Sequence, residues 1–249
     1  MILFNKIRTK KVFYLVVSII IEAIIINFNY ISSEACDKKI EVFNDKKVVL
    51  IDPGHGGIDG GAVSKKGTVE KDINLKISLK LKKELETKGF NVVLTRDEDK
   101  GLYSDIGKVR DKKNEDLNNR CKVKNETKCD AFISVHLNMF EQSQYYGAQV
   151  WYSKEGESGQ FAHIMQQNLI KDINNNNKRR EKCAKGAYKI LRCHDDVPSV
   201  LVECGFLSNP TEEEKLKEDS YQLEIAKSLA KSIEEFFNIK EERESRFQY

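Results

Sequence analysis

Apolar residues along the chain fall into short runs and four-residue steps, separated by glycine-rich or strongly charged stretches. The run Val48-Val49-Leu50-Ile51 ends in Asp52-Pro53-Gly54-His55-Gly56-Gly57, which predicts a buried strand entering a tight glycine loop. From about Val69 to Lys88, Ile73, Ile77, Leu81 and Leu85 recur every fourth position, with Leu75 and Leu79 beside them and Gly89 as a stop, which predicts a helix. A strand follows over 91–95. The same alternation predicts strands over 131–135, 148–152 and 199–202, and helices over about 159–173 and 222–237. Residues 97–128 read as a polar excursion with one helix near 116–124, residues 174–185 as a solvated loop, and 241–249 as a frayed tail. Strand and helix in alternation predict an α/β fold: one domain, a twisted and mainly parallel sheet, and helices on both faces.

Composition narrows this reading without changing it. With 249 residues, 40% hydrophobic, 3 Pro and 14 Gly, the chain has the profile of a folded globular protein, and collagen-like or fully disordered classes are excluded. The formal charge is +3, and Lys6, Arg8, Lys10 and Lys11 against Glu22 and Glu34 place +2 of it in the first 35 residues. The near-neutral remainder asks for no nucleic-acid partner. Lys6 to Lys11 is basic and Val12 to Ile21 is unbroken apolar sequence, the layout of an export signal that is either cleaved or retained as an anchor over 1–35. Ser33-Glu34-Ala35 is a small-x-small cleavage site before Cys36, and the serine at 33 disfavours lipidation of that cysteine. A linker over 36–46, a catalytic domain over 47–238 and a tail over 239–249 complete the expected organisation, with membrane contact only through the N-terminal segment. An oxidising compartment would permit disulfides among Cys36, Cys121, Cys129, Cys183, Cys193 and Cys204. Cys121/Cys129 and Cys183/Cys193 are near enough in sequence to bridge, but pairing stays open, and the absence of any C-x-x-C pair disfavours a cysteine metal site.

The candidate chemistry lies at strand ends. His55 sits in the glycine loop after the first strand and His136 directly follows Phe132 to Val135; in a doubly wound sheet such loops converge on one crevice. His163 lies on a helix and reads as a surface or core residue, while His194 precedes its strand and has at most a secondary role. Two imidazoles and one carboxylate make an open zinc site, with a fourth position for water. The carboxylate candidates are Glu70, at the start of the first helix, and Glu203, at the end of the apolar run Val200 to Val202. One would serve as ligand and the other as general base, and spacing leaves the choice open. Asp52 and Asp59 could orient His55, although an Asp before Pro-Gly is commonly a turn residue. Zinc that acidifies water and polarises a carbonyl, beside a carboxylate that moves the proton to a leaving nitrogen, amounts to amide hydrolysis.

Five segments, in order, resemble the zinc-dependent N-acetylmuramoyl-L-alanine amidases of type 3: VVLIDPGHGGIDGGA (48–62), TVEKDINLKISLKLKKEL (68–85), GFNVVLTR (89–96), CDAFISVHLN (129–138) and PSVLVECGFLSNPTEEE (198–214). The resemblance covers about 47–237. It implies a sheet of about six strands, one Zn2+ per chain held by His55, Glu70 and His136, and Glu203 as the catalytic glutamate. It also implies a peptidoglycan substrate, glycan strands with stem peptides, cut between the muramic lactyl group and L-alanine. A single domain behind an export segment is similar to the subgroup that acts on spore cortex peptidoglycan, where stem removal allows muramic-δ-lactam formation and some members depend on an activating partner protein. Leu137 and Met139, where relatives often carry alanine, would alter packing near the site and leave the ligands intact. Two other classes stand beside this reading: a zinc peptidase or carboxypeptidase acting on peptidoglycan stems, and a non-catalytic wall-binding or regulatory module.

Overall fold

The computed structural model describes residues 46–246; the N-terminal leader, its cleavage site and Cys36 lie outside the described residues. No helix among the described residues is long and apolar enough to cross a membrane.

Strand β1 (Val48–Pro53) is the apolar run that enters the glycine loop. Helix α1 (Glu70–Thr87) follows, and its four-residue apolar steps become a buried stripe of Ile73, Ile77, Leu81 and Leu85. Gly89, at φ 90°, takes the left-handed turn that ends it and admits β2 (Asn91–Leu94). Helix α2 (Val109–Thr127) leads to β3 (Ala131–Asn138), and β4 (Gln149–Tyr152) to α3 (Glu157–Asp172). The chain then forms β5 (Lys182–Cys183), the short α4 (Lys189–Arg192), β6 (Ser199–Phe206), α5 (Pro210–Lys217) and α6 (Asp219–Arg246). Asn209 caps α5 by accepting from the Thr211 and Glu212 N–H groups, with Pro210 just inside the start.

The six strands form one sheet in the order β2-β1-β3-β6-β4-β5. Pairing is parallel except where β4 runs antiparallel to β6. Alternate residues point to opposite faces. Val49, Ile51, Ile133, Val135, Val200 and Val202 pack in one cluster with residues of α1, α3 and α6, including Leu81, Phe161, Leu229 and Phe236. On the other face Leu50, Phe132 and Leu201 pack with Cys121 of α2 and with Ile190 and Leu191 of α4. This is the expected α/β domain with helices on both faces.

Several boundaries differ from the sequence reading, each for a physical reason. The sixth strand, β5, lies inside the stretch read as a solvated loop. It is two residues long, sits at the sheet edge, and carries no apolar run to announce it. Helix α2 extends well beyond 116–124 because its buried residues are Arg120, Cys121 and Lys124, so hydrophobic spacing could not delimit it. Helix α6 runs to Arg246, past the expected end at Phe237, through a charged sequence of strong helix formers. Neither short-range cysteine pair forms: Cys121 bonds Cys193 across 72 positions, tying α2 to the end of α4. Cys129, Cys183 and Cys204 remain thiols.

Leu81 is fully buried where α1 meets the sheet. Leu81→Ala is expected to cost about 2–5 kcal/mol through lost transfer and a residual cavity. Urea unfolding should show a lower midpoint with an unchanged slope.

Candidate functional site

The site begins with the way β1 ends. Asp52 is 2% exposed and its carboxylate receives Thr95 Oγ1 at 2.6 Å, Ser134 Oγ at 2.7 Å and the Arg120 guanidinium at 2.6 Å. Burial alone would raise its pKa, but the Arg120 charge and these hydrogen bonds bring it down to about 2. Arg120 also donates to the carbonyls of Pro53 (2.9 Å) and His55 (2.6 Å) and pairs with Asp116 on its own helix. Arg96, also buried, donates to the carbonyls of Pro53, Gly54 and Lys71. Two arginines therefore hold the Pro53-Gly54-His55 backbone, and His55 is kept at φ 62°, a left-handed conformation unfavourable for a residue with a Cβ.

That loop projects the His55 ring toward His136, near the end of β3, with ring centroids 4.9 Å apart. Gly54 is required between them: a Cβ there would lie 2.3 Å from His136 Cε1. Asp59 Oδ2 lies 3.0 Å from His55 Nδ1 and turns Nε2 toward Glu70 Oε1, 3.2 Å away. Asp59 is itself anchored by Lys113 of α2 at 2.7 Å. Burial would lower the His55 pKa, but hydrogen bonds with Asp59 and Glu70 raise it to about 9.

Glu70 is the first residue of α1, and its carboxylate is surrounded by donors. Oε2 accepts from the Ala62 N–H at 2.8 Å; Oε1 accepts from the Leu137 N–H at 3.1 Å and from Asn74 Nδ2 at 3.2 Å, with His136 Nδ1 3.1 Å away. Burial opposes ionisation, yet the two histidines hold Glu70 well below the usual carboxylate range. Donor atoms of His55, Glu70 and His136 all lie within 4.8 Å of one another. Glu203, on β6, is in register with His136 on the neighbouring strand. It is buried, and its Oε2 has no hydrogen-bond partner among the described residues. Burial pushes its pKa up to about 7, with His136 acting against that and Glu70 adding to it.

Two imidazoles, one ionised carboxylate and an adjacent unpartnered carboxylate oxygen suit a zinc-type cation of open coordination, so the residues present fit such an ion. The four positions singled out in the sequence thus meet at the carboxyl ends of β1, β3 and β6. Of the two aspartates, Asp59 touches His55, whereas Asp52 acts one step back through Arg120. His163 is exposed and meets Glu181 at 2.8 Å, and the exposed His194 precedes β6 at the end of the sheet opposite Glu203. Leu137 is a core residue whose N–H serves Glu70, while Met139 is partly exposed. Sequence reasoning missed Asn74, Arg96 and Arg120 as site-building residues. Asn74 lies on the Glu70 face of α1, one turn on, and was the one with a readable signal.

A family model described as N-acetylmuramoyl-L-alanine amidase matches residues 49–235. The germination-specific N-acetylmuramoyl-L-alanine amidase of Bacillus subtilis is 36% identical over 78% of this chain and 81% of its own length. Among solved structures, the CwlD amidase of Clostridioides difficile, in complex with the GerS lipoprotein, superposes with a TM-score of 0.76 at 40% identity, covering 78% of this chain and all of that one. An N-acetylmuramoyl-L-alanine amidase of Clostridium difficile 630 gives 0.67 at 29% identity, over 78% of this chain and 98% of that one. The chain belongs to the N-acetylmuramoyl-L-alanine amidase family, hydrolases of the bond between N-acetylmuramic acid and L-alanine in peptidoglycan.

Arg120→Met leaves the Asp52 charge buried without its counter-ion and is expected to cost about 3–5 kcal/mol. Because Asp52 has a depressed pKa, its contribution is present above the unfolded carboxylate pKa and is lost as pH falls from there through about 2. Denaturant midpoints measured between neutral pH and pH 2 should therefore fall for the wild type and much less for Arg120→Met.

Proposed function

We propose that this chain is a zinc-dependent N-acetylmuramoyl-L-alanine amidase that removes stem peptides from spore cortex peptidoglycan, exposing the lactyl carboxyl from which muramic-δ-lactam can form. The observation that carries the zinc reading is the convergence of His55, Glu70 and His136 within 4.8 Å, with the unpartnered Glu203 carboxylate beside them. The spore role rests on similarity to the germination-specific amidase.

In this reading His55, Glu70 and His136 hold one Zn2+, which when bound supplies Lewis acidity toward the scissile carbonyl and a lowered pKa for water. Asp59 fixes the His55 ring so that Nε2 faces the site. The Ala62 and Leu137 N–H groups hold the Glu70 carboxylate in place before any substrate arrives. Glu203, as carboxylate, takes a proton from the attacking water; the hydroxyl oxygen bonds to the lactyl carbonyl carbon. The proton then passes from Glu203 to the L-alanine nitrogen as the C–N bond breaks, releasing a stem peptide with a free amino terminus. With no donor on its Oε2, Glu203 has a pKa close to that of a base working near neutrality. We further propose export or membrane anchoring through residues 1–35, with the enzyme facing the wall or cortex, and an activating partner protein. The partner proposal draws on the CwlD structure, in which the amidase is bound to the GerS lipoprotein.

Mass spectrometry of digested cortex should show free peptides beginning with L-alanine; products cut only within the stem would indicate a peptidase instead. Glu203→Gln should retain metal and lose about 10^2- to 10^4-fold in kcat, the usual weight of one acid–base group. His136→Ala should lose metal and activity together. Metal retained by His136→Ala would overturn the ligand assignment. Glu203→Gln behaving as wild type would overturn the catalytic one.

A further inference from the structure

The face of the sheet that carries the catalytic groups continues beyond them. Glu203 is opposite His136 on β3 and directly opposite Gln149 on the antiparallel β4, so the three side chains form a row across adjacent strands. Gln149 is buried and its amide is engaged at both ends, with Nε2 donating to the Arg180 carbonyl at 2.9 Å and Oε1 accepting from Arg179 Nη1 at 3.2 Å. Arg179 closes the row. Its Nε donates to the Tyr146 carbonyl at 2.8 Å, and its guanidinium lies 4.4 Å over the Phe206 ring.

What this arginine lacks is a counter-ion. Arg96 is aimed at four carbonyls and Arg120 at two aspartates, and both are occupied in building the loop. Arg179 is only partly buried, and among the described residues its hydrogen bonds reach carbonyl and amide oxygens alone. The one carboxylate whose charge it feels, Glu212, already accepts from the Gly147 and Phe206 N–H groups. An oriented, stacked guanidinium with an unused edge is the usual receptor for a carboxylate.

We infer that Arg179 is a specificity-determining residue that receives the α-carboxylate of the second stem residue, the D-glutamyl unit joined to the chain through its side-chain carboxyl. The inference rests on the amidase reading, which sets the scissile amide between the His55–Glu70–His136 cluster and Glu203. Neighbouring strands are about 4.8 Å apart and an extended peptide advances about 3.4 Å per residue. A stem leaving L-alanine along the row from Glu203 toward β4 thus brings the next free carboxylate to Arg179.

The test uses two soluble glycan-strand fragments, one with the free α-carboxylate and one with the α-carboxamide at the second stem residue, and the full chain loaded with zinc. Wild type should prefer the carboxylate form through KM. Arg179→Gln should raise KM for that form by about 10- to 100-fold, so that the ratio of the two KM values approaches one. Arg179→Lys, which keeps the charge without the fork, should fall between. The carboxamide substrate reports on folding and chemistry in every variant. An equal fall on both substrates, a preference that survives Arg179→Gln, or a wild type that does not discriminate would overturn the assignment while leaving the amidase intact. Failure of the wild type to release L-alanine-terminated peptides from either fragment would overturn the amidase reading itself.

Discussion

The interaction on which the site depends is the buried pair of Asp52 and Arg120. A fully ionised carboxylate buried in a sheet is costly unless it is paired and hydrogen-bonded, and here Arg120 supplies the counter-ion while Thr95 and Ser134 donate to its oxygens. The pair spans β1 and α2, and Thr95 and Ser134 bring in the segments after β2 and within β3. Arg120 then extends this junction to the carbonyl of His55. The strained backbone of His55 is thus fixed by a charge that lies three residues away and faces the core. In a glycine-rich loop, whose entropy would otherwise oppose any single conformation, a guanidinium that can bond two carbonyls at once is an economical constraint.

The sheet does the remaining positioning. Parallel strands place the ends of β1, β3 and β6 side by side, so residues 81 and 67 positions apart in sequence become neighbours without any dedicated element. Helix α1 begins at the point where its first residue reaches that edge, and the helix start supplies a favourable field for the Glu70 carboxylate. The antiparallel β4 is a departure with a consequence. It turns the loops at 139–147 and 174–181 toward the same edge, which brings Arg179, Tyr146 and Gln149 to the flank of Glu203.

Much of this was legible in the sequence, and what was not has a common cause. Strands β1, β3 and β6 announce themselves because they are buried on both faces and read as continuous apolar runs, and α1 because one face is cleanly apolar. His55 and His136 were placed by topology alone. Helix α2, strand β5 and the cysteine bridge were hidden because their structural information is polar or long-range: α2 buries an arginine, a lysine and a cysteine, and β5 is an edge of two residues. The same blindness concealed Arg96 and Arg120. A charged residue in a charged stretch reads as a solvated face until the fold shows that it points inward.

The two glutamates show how far environment, rather than residue type, divides the labour. Both are buried carboxylates next to the same histidines, and spacing could not rank them. Glu70 is met by two main-chain N–H groups, an asparagine amide and two imidazoles, all of which stabilise charge, and its pKa falls well below the ordinary range. Glu203 receives no such donors on Oε2, so desolvation dominates and its pKa climbs to about 7. A carboxylate held permanently ionised suits a ligand, and one balanced between its two protonation states suits a group that must accept a proton and give it back. A dication beside Glu203 would favour its ionised form, so occupation of the ligand set would itself bring the base into its working state. The two glutamates are therefore coupled through charge, and neither can be tuned without the other.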